Sequence, residues 1–226
     1  VVRDYVLNLE VVLPTGEVIM TGSSVLKNST GYSLTHLMAG SEGTLGIVTK
    51  IVLRLIPLPK YDLLMLVPFR SLEKAGEAVS AIFRSGFKPS ALELMEIDAL
   101  RIVSSFVDST AVPITDDIKA HLIIDVDGNH PETLIAEKEA IGELLTQYEC
   151  GDIFFADDVQ QKAELWKLQG SVAEVVMISG YTIGDDTVAA RAELPALIRG
   201  VKQLGKEQGF QQCVTDLRVM ATCTSG

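Results

Sequence analysis

Two prolines one residue apart, Pro57 and Pro59, divide the sequence into parts with different periodicity. Before them, Thr44 to Ile56 holds Ile47, Val48, Ile51, Val52, Leu53, Leu55 and Ile56 in a nearly continuous apolar strand. Proline ends such a strand because it brings no N–H to the ladder. Upstream lie V-L-N-L-E-V-V-L-P and T-G-E-V-I-M-T-G, two β-branched runs joined by Pro14-Thr15-Gly16, which is a hairpin signal. A short helical segment, Ser33 to Met38, and the glycines Gly40 and Gly43 follow.

After the prolines, strands alternate with amphipathic helices. L-L-M-L-V-P-F reads as a strand, and Ser71 as the N-cap of a helix carrying Leu72, Ala75, Val79, Ile82 and Phe83 at helical spacing. A strand over Ala91–Met95, a helix over Asp98–Val107, a strand over His121–Val126, a helix over Leu134–Tyr148 and a strand over Asp152–Ala156 come next. The order is strand, helix, strand, strand, helix, strand with one inserted helix, which is the split-βαβ, ferredoxin-like arrangement. A long helix over Val159–Val176, an extended piece near Tyr181–Val188 and a helix with Leu194, Leu197, Ile198, Val201 and Leu204 on one face complete the pattern. The predicted class is α+β, with domains over residues 1–57 and 58–213 and a separate tail at 214–226.

The 226 residues are 47% hydrophobic and 22% charged, an ordinary globular composition able to bury a core. A net charge of −11 argues against nucleic acid as the main partner, since phosphate binding needs a basic surface. No apolar run approaches the roughly 20 residues of a membrane span. The first residues, V-V-R-D-Y-V-L, show neither a signal-peptide pattern nor an initiator Met, so the expectation is a chain that starts inside a longer protein. Cys150, Cys213 and Cys223 form no C-x-x-C pair and read as free thiols in a reducing, cytoplasmic setting. His36, His121 and His130 lack metal-ligand spacing, and no metal site is predicted.

The candidate binding element is Gly40 to Thr49, G-S-E-G-T-L-G-I-V-T. Glycines at 40, 43 and 46 let the backbone approach a planar ring or a pyrophosphate where a Cβ would collide, and exposed N–H groups there can donate to its oxygens. Alone, glycines before a strand serve as often for a turn or bulge. The wider context is more specific. R-D-Y-V-L-N-L-E-V-V-L-P-T-G-E, K-N-S-T-G-Y-S-L-T-H-L-M-A-G-S-E-G-T-L-G-I-V-T and L-R-L-I-P-L-P, at this spacing, resemble the second half of the FAD-binding domain of the glycolate oxidase FAD-subunit and D-lactate dehydrogenase family, PCMH-type FAD-linked oxidases. The resemblance continues through A-L-E-L-M-E, L-W-K-L and R-A-E-L-P-A-L-I-R-G-V-K.

The resemblance implies an internal fragment of such an enzyme: the C-terminal part of a PCMH-type FAD-binding domain, then a ferredoxin-like substrate or cap domain. It implies FAD as cofactor, contacted by Gly40, Ser41, Glu42, Gly43, Thr44, Gly46, Ile47 and Val48, with Glu42 anchoring the loop. It also implies hydride transfer to flavin from C2 of a small D-2-hydroxy acid such as glycolate or D-lactate, with basic side chains holding the carboxylate, a metal held by a later histidine-rich motif, and an iron–sulfur or other electron-transfer partner. No catalytic residue is assigned.

Several positions depart from that pattern. After L-W-K-L, where the family carries an arginine suited to a carboxylate, this chain has Gln169 and Gly170; Arg191 persists in V-A-A-R and reads first as a solvated helix-start residue. After G-F-Q-Q-C the family's Y-G-H-A-G-D-G-N-L-H run is replaced by V-T-D-L-R-V-M-A-T-C-T-S-G. Joining the third base of each codon from Val214 onward to the first two bases of the next permits Y, G, S or P, A, G, D, G, N, L, H, V, W in order. Met220 before Ala221 forces G-G-C, a glycine where the motif has one. The expectation is a reading-frame shift just after Cys213 that removes the metal ligands and catalytic histidine, leaving a chain inactive alone. Two alternatives stand beside it: a non-catalytic assembly module docking an electron-transfer partner, and a flavin enzyme for another substrate, an aryl alcohol or an ether lipid. G-F-K-P-S-A-L-E-L-M-E sits nearer the glycolate and lactate branch.

Overall fold

The computed structural model describes residues 2–104, 106, 112, 114–156, 158–178, 181–215 and 218–223. The chain forms two compact units, Val1–Leu58 and Pro59–Gly226.

The first unit is a three-stranded antiparallel sheet of β1 (Val6–Val12), β2 (Val18–Met20) and β3 (Ile47–Leu53), with a one-turn helix α1 (Leu34–Met38) between β2 and β3. β1 is central, pairing Val11 with Ile19 on one side and Leu9 with Ile51 on the other. Its register to β3 shifts between Val6 and Asn8 and again between Glu10 and Val11. Polar side chains pin this unit. The Asn8 Oδ1 accepts the Gly22 N–H at 2.7 Å, the Thr21 hydroxyl accepts the Leu9 N–H at 3.1 Å, and the Thr21 and Thr35 hydroxyls lie 2.9 Å apart, tying α1 to the hairpin. Apolar burial is slight: Leu9 and Val11 are buried, whereas Ile47, Val48, Ile51 and Leu53 of β3 are exposed.

The second unit holds β4 (Tyr61–Phe69), α2 (Leu72–Arg84), β5 (Ala91–Glu96), α3 (Ile97–Ser104), β6 (Ala120–Gly128), α4 (Pro131–Leu145), β7 (Phe154–Ala156), α5 (Val159–Ile178), β8 (Tyr181–Asp186), α6 (Leu194–Gln208), β9 (Gln211–Thr215) and β10 (Arg218–Cys223). The sheet order is β7-β4-β6-β5-β9-β10-β8 with antiparallel neighbours. Its first four strands, with α2 and α4 as crossovers, form the ferredoxin-like half. β9, β10 and β8 extend it from β5 through a single register pair, Met95 with Thr215.

Both faces of the central strands β4 and β6 are covered. Met65, Val67, Phe69, Leu122, Ile124 and Val126 pack with side chains of α2, α4 and α6, including Ile82, Ile141 and Ile198. Leu64, Leu66, Met95 and Ile123 pack instead with α3 and α5 through Leu100, Leu165 and Leu168. Two covered faces explain why β4 and β6 read as unbroken apolar runs rather than alternating ones. Pro68 is tolerated inside β4 because β7 pairs only Leu64–Leu66, so no ladder bond is lost at 68; there the Pro68 carbonyl accepts the Gly151 N–H at 2.8 Å instead.

Local signals behave as their chemistry dictates. The Ser71 hydroxyl accepts the Lys74 N–H at 3.2 Å and caps α2. α4 begins at Pro131, a residue preset for a first helical turn, and yields to a 3-10 turn at Thr146–Tyr148. The inserted helix ends at Ser104, and residues 105 and 107 of its expected span lie outside the described residues. β9 runs from Gln211 into the tail with Val214 buried, β10 is described in backbone terms, and 216–217 and 224–226 lie outside the described residues.

Candidate functional site: a glycine loop on a thin sheet

The loop between α1 and β3 is built from three left-handed backbone conformations within four residues: Gly40 at φ 93°, Glu42 at φ 51° and Gly43 at φ 76°. Glu42 is the strained member, since a side chain there crowds the following carbonyl at a cost of about 1 kcal/mol. Hydrogen bonds hold the turn. The Met38 carbonyl accepts the Ser41 N–H at 3.0 Å, and the Ser41 carbonyl accepts the Thr44 N–H at 3.0 Å and the Thr44 hydroxyl at 2.6 Å. A Cβ on Gly43 would meet nothing within 4 Å, so glycine there answers the dihedral alone. A Cβ on Gly46 would lie 2.6 Å from Val11 Cγ1 and 2.9 Å from the Val12 carbonyl oxygen, so glycine lets β3 start hard against β1. Just beyond, Lys50 at 2.8 Å and Thr49 at 2.9 Å donate to the Glu10 carboxylate and lock the two strands together. The Lys50 bond first, then that of Thr49, holds the Glu10 carboxyl below its ordinary pKa.

An open groove of about 670 Å³ runs along this loop. Gly40, Ser41, Glu42, Gly43, Gly46, Ile47 and Val48 line it, together with Arg3, Val6, Leu9, Met38 and Ile51. Thr44 is not part of the lining; its hydroxyl braces the turn from within. Among the described residues, the N–H groups of Glu42 and Gly43 donate no hydrogen bond. Apolar walls beside successive unused amides fit a flat aromatic ring carrying carbonyl or phosphoryl oxygens. Arg3 and Met38 were not legible as groove residues. They reach it through the β1–β3 register and the placement of α1, and the faint signal was a cation just ahead of the first strand in a chain poor in cations.

The second unit brings fewer of the expected groups together. Gln169, on α5, donates from Nε2 to Glu93 Oε2 on β5 at 3.3 Å, a neutral donor where the resemblance implies a guanidinium. Gly170 has open space around it. Arg191 sits in the 3-10 turn before α6, and its side chain lies outside the described residues. No group of three or more His, Cys, Asp or Glu side chains among the described residues is arranged to hold a metal ion. No helix among them is long and apolar enough to cross a membrane.

Comparison with known proteins gives this geometry a lineage. Residues 58–220 match the family described as FAD linked oxidases, C-terminal domain. The chain is similar to a D-lactate dehydrogenase of Anaerostipes hadrus, 33% identical over 213 residues that cover 92% of this chain and 45% of that protein. It is also similar to glycolate oxidase subunit GlcD of Bacillus subtilis (strain 168), 29% identical over 233 residues that cover 100% of this chain and 48% of that protein. Among solved structures it resembles p-cresol methylhydroxylase with substrate bound, with a TM-score of 0.70 at 15% identity, covering 98% of this chain and 51% of that one; at that identity the likeness speaks for the fold alone. The chain spans about half the length of the curated relatives it matches. It belongs to the FAD linked oxidases, whose C-terminal domain occupies residues 58–220.

Proposed function

We propose that the chain supplies the flavin-contacting loop and the cap domain of an FAD-dependent oxidoreductase acting on a small D-2-hydroxy acid, glycolate or D-lactate. The observation that carries this reading is the loop itself: three left-handed residues, unused amides and an apolar groove at Gly40–Val48. The relatives' names, D-lactate dehydrogenase and glycolate oxidase subunit, support the substrate class. When bound, FAD would supply the two-electron acceptor that oxidation of a 2-hydroxy acid to a 2-oxo acid requires. Residues of this chain contribute position. Gly40, Gly43 and Gly46 permit close approach, Ser41 and Thr44 fix the turn, Ile47 and Val48 offer apolar surface, and Glu42, expected as the loop's anchor, contributes its left-handed backbone, its side chain making no hydrogen bond among the described residues. Gln169 stands where the resemblance implies a guanidinium and provides no charge for a carboxylate, and on that ground we assign the chain alone no turnover. The free thiols of Cys150 and Cys213 support a reducing, cytoplasmic setting, and an electron-transfer partner takes up the reducing equivalents.

The test is a flavin fluorescence titration followed by dye reduction with D-lactate or glycolate. The expected result is quenching of FAD fluorescence without turnover. Turnover of either acid would overturn the assignment of inactivity, and absence of quenching would overturn the loop's role. A second reading, a non-catalytic assembly module, is favoured by one observation: Leu55, Ile56 and Leu58 are exposed in succession. Stoichiometric capture of an electron-transfer partner without flavin would favour it over the first.

The domain limits at 57/58 and 213/214 belong to the same proposal. Codon arithmetic supports a frame shift after Cys213, and the family match reaching residue 220 stands against it. Sequencing the encoding DNA decides between them, because the alternative frame is either present there or not.

A further inference from the structure

A cavity of about 920 Å³ opens in the second unit between α6, α3 and β9. Its acidic groups are mostly neutralised by the protein. Glu96 is buried, one carboxylate oxygen accepts the Val214 N–H at 2.9 Å, and the other pairs with the Lys202 ammonium. Lys202 also donates to the Gln212 carbonyl at 2.9 Å, so two of its three donors are committed inside the protein. On the α3 wall Arg101 pairs with Asp98 at 3.4 Å and with Asp116 at 2.9 Å. Glu73, the remaining lining carboxylate, accepts the Ser71 hydroxyl at 2.8 Å.

Two cations are left over. Arg199 and Lys206 of α6 line the cavity and have no ion-pair partner among the described residues. Their spacing through Lys202 and Gln203 sets them on one side of the helix, about 10 Å apart along its axis. Phe210 and Ile102 give the cavity apolar surface, and Gln203 adds an amide. Burial first, then the charge of Glu96, pushes the Cys213 thiol up to about 11, so the one thiol in the lining is protonated at neutral pH. The arrangement is that of a binding site rather than a reacting one. A chain of net charge −11 repels anions at long range, so an anion held here is held by these short-range contacts.

We infer that this cavity binds a small ligand bearing two separated anionic groups, carboxylate or phosphate, one held by Arg199 and the other by Lys206. The inference stands apart from the flavin loop, and failure of FAD binding leaves it untouched.

Isothermal titration of the full chain with citrate, and separately with inorganic tripolyphosphate, tests it. Saturable one-site binding is expected for at least one probe, and the tighter one identifies the preferred chemistry. Arg199→Ala and Lys206→Ala should each weaken that binding at least tenfold. Lys88→Ala and Lys167→Ala, exposed lysines elsewhere, should leave it within twofold. Unchanged thermal unfolding of the variants confirms that their fold is intact. No saturable binding, or equal losses in all four variants, would overturn the site.

Discussion

In Pro59–Gly226 the central strands are covered on both faces, and side chains such as Leu122, Ile123 and Ile124 are fully buried. In Val1–Leu58 the sheet has three strands, Leu9 and Val11 are the buried apolar side chains among the described residues, and β3 exposes Ile47, Val48, Ile51 and Leu53. Burial of apolar area supplies most of a domain's stability, so the second unit has the means to hold itself together and the first depends on its polar pins. The candidate flavin loop is carried by the weaker unit. The shape of the candidate loop is therefore encoded by backbone conformation, and stability by side-chain packing elsewhere.

The largest expected effect breaks the stronger unit. Leu122→Ala should lower the unfolding free energy by about 2–5 kcal/mol in chemical denaturation, because the site is packed from all sides. Leu9→Ala should cost less, under about 2 kcal/mol, because its thin surroundings can collapse into the gap. Equal costs would dissolve the contrast between the units.

Gly46→Val comes next. Its side chain would collide with Val11 and with the Val12 carbonyl, at a local cost of about 1–3 kcal/mol. Flavin quenching should be lost while the denaturation transition of the second unit stays in place. A shifted transition would show that the units are not energetically separate.

A pH dependence sharpens the same contrast, since buried carboxylates belong to the packed unit. Burial first, then the charge of Asp62, pushes Asp125 up to about 6, with Lys162 opposing and Asp127 adding. The Lys162 ammonium of α5 is engaged with Asp62 at 2.7 Å. Because the folded-state value is raised, the native chain holds more protons than the unfolded one between the ordinary carboxylate pKa and about 6. Stability should therefore fall as pH rises through that window, by about 1 kcal/mol after solvent screening. Asp125→Asn should flatten the profile, which thermal unfolding from pH 4 to 7 would measure.

Gly43→Ala is the smallest. The space is open and only the left-handed dihedral resists, so the cost is about 1 kcal/mol and flavin affinity should fall less than with Gly46→Val.

The ferredoxin-like half was legible because its signals are local: the apolar runs of β4 and β6, the Ser71 cap and the amphipathic spacing of α2. The β9–β10 extension was not. Q-Q-C-V-T is short and polar, and its pairing is set by partners distant in sequence, with Glu96 reaching across to the Val214 N–H. In the loop, the glycines announced a turn or a close backbone approach, but the left-handed conformation at Glu42 had no glycine to signal it. The Arg199–Lys206 pair was equally invisible, because its significance depends on Lys202 being engaged by a buried glutamate.

The most direct measurement follows backbone amide NMR shifts while FAD is added to the full chain. The amides of Gly40–Val48 should move together and saturate, while those of β4 and β6 stay fixed. Saturable shifts confined to Pro59–Gly226, or a loop that does not respond to FAD, would contradict the assignment of the flavin contact to Gly40–Val48.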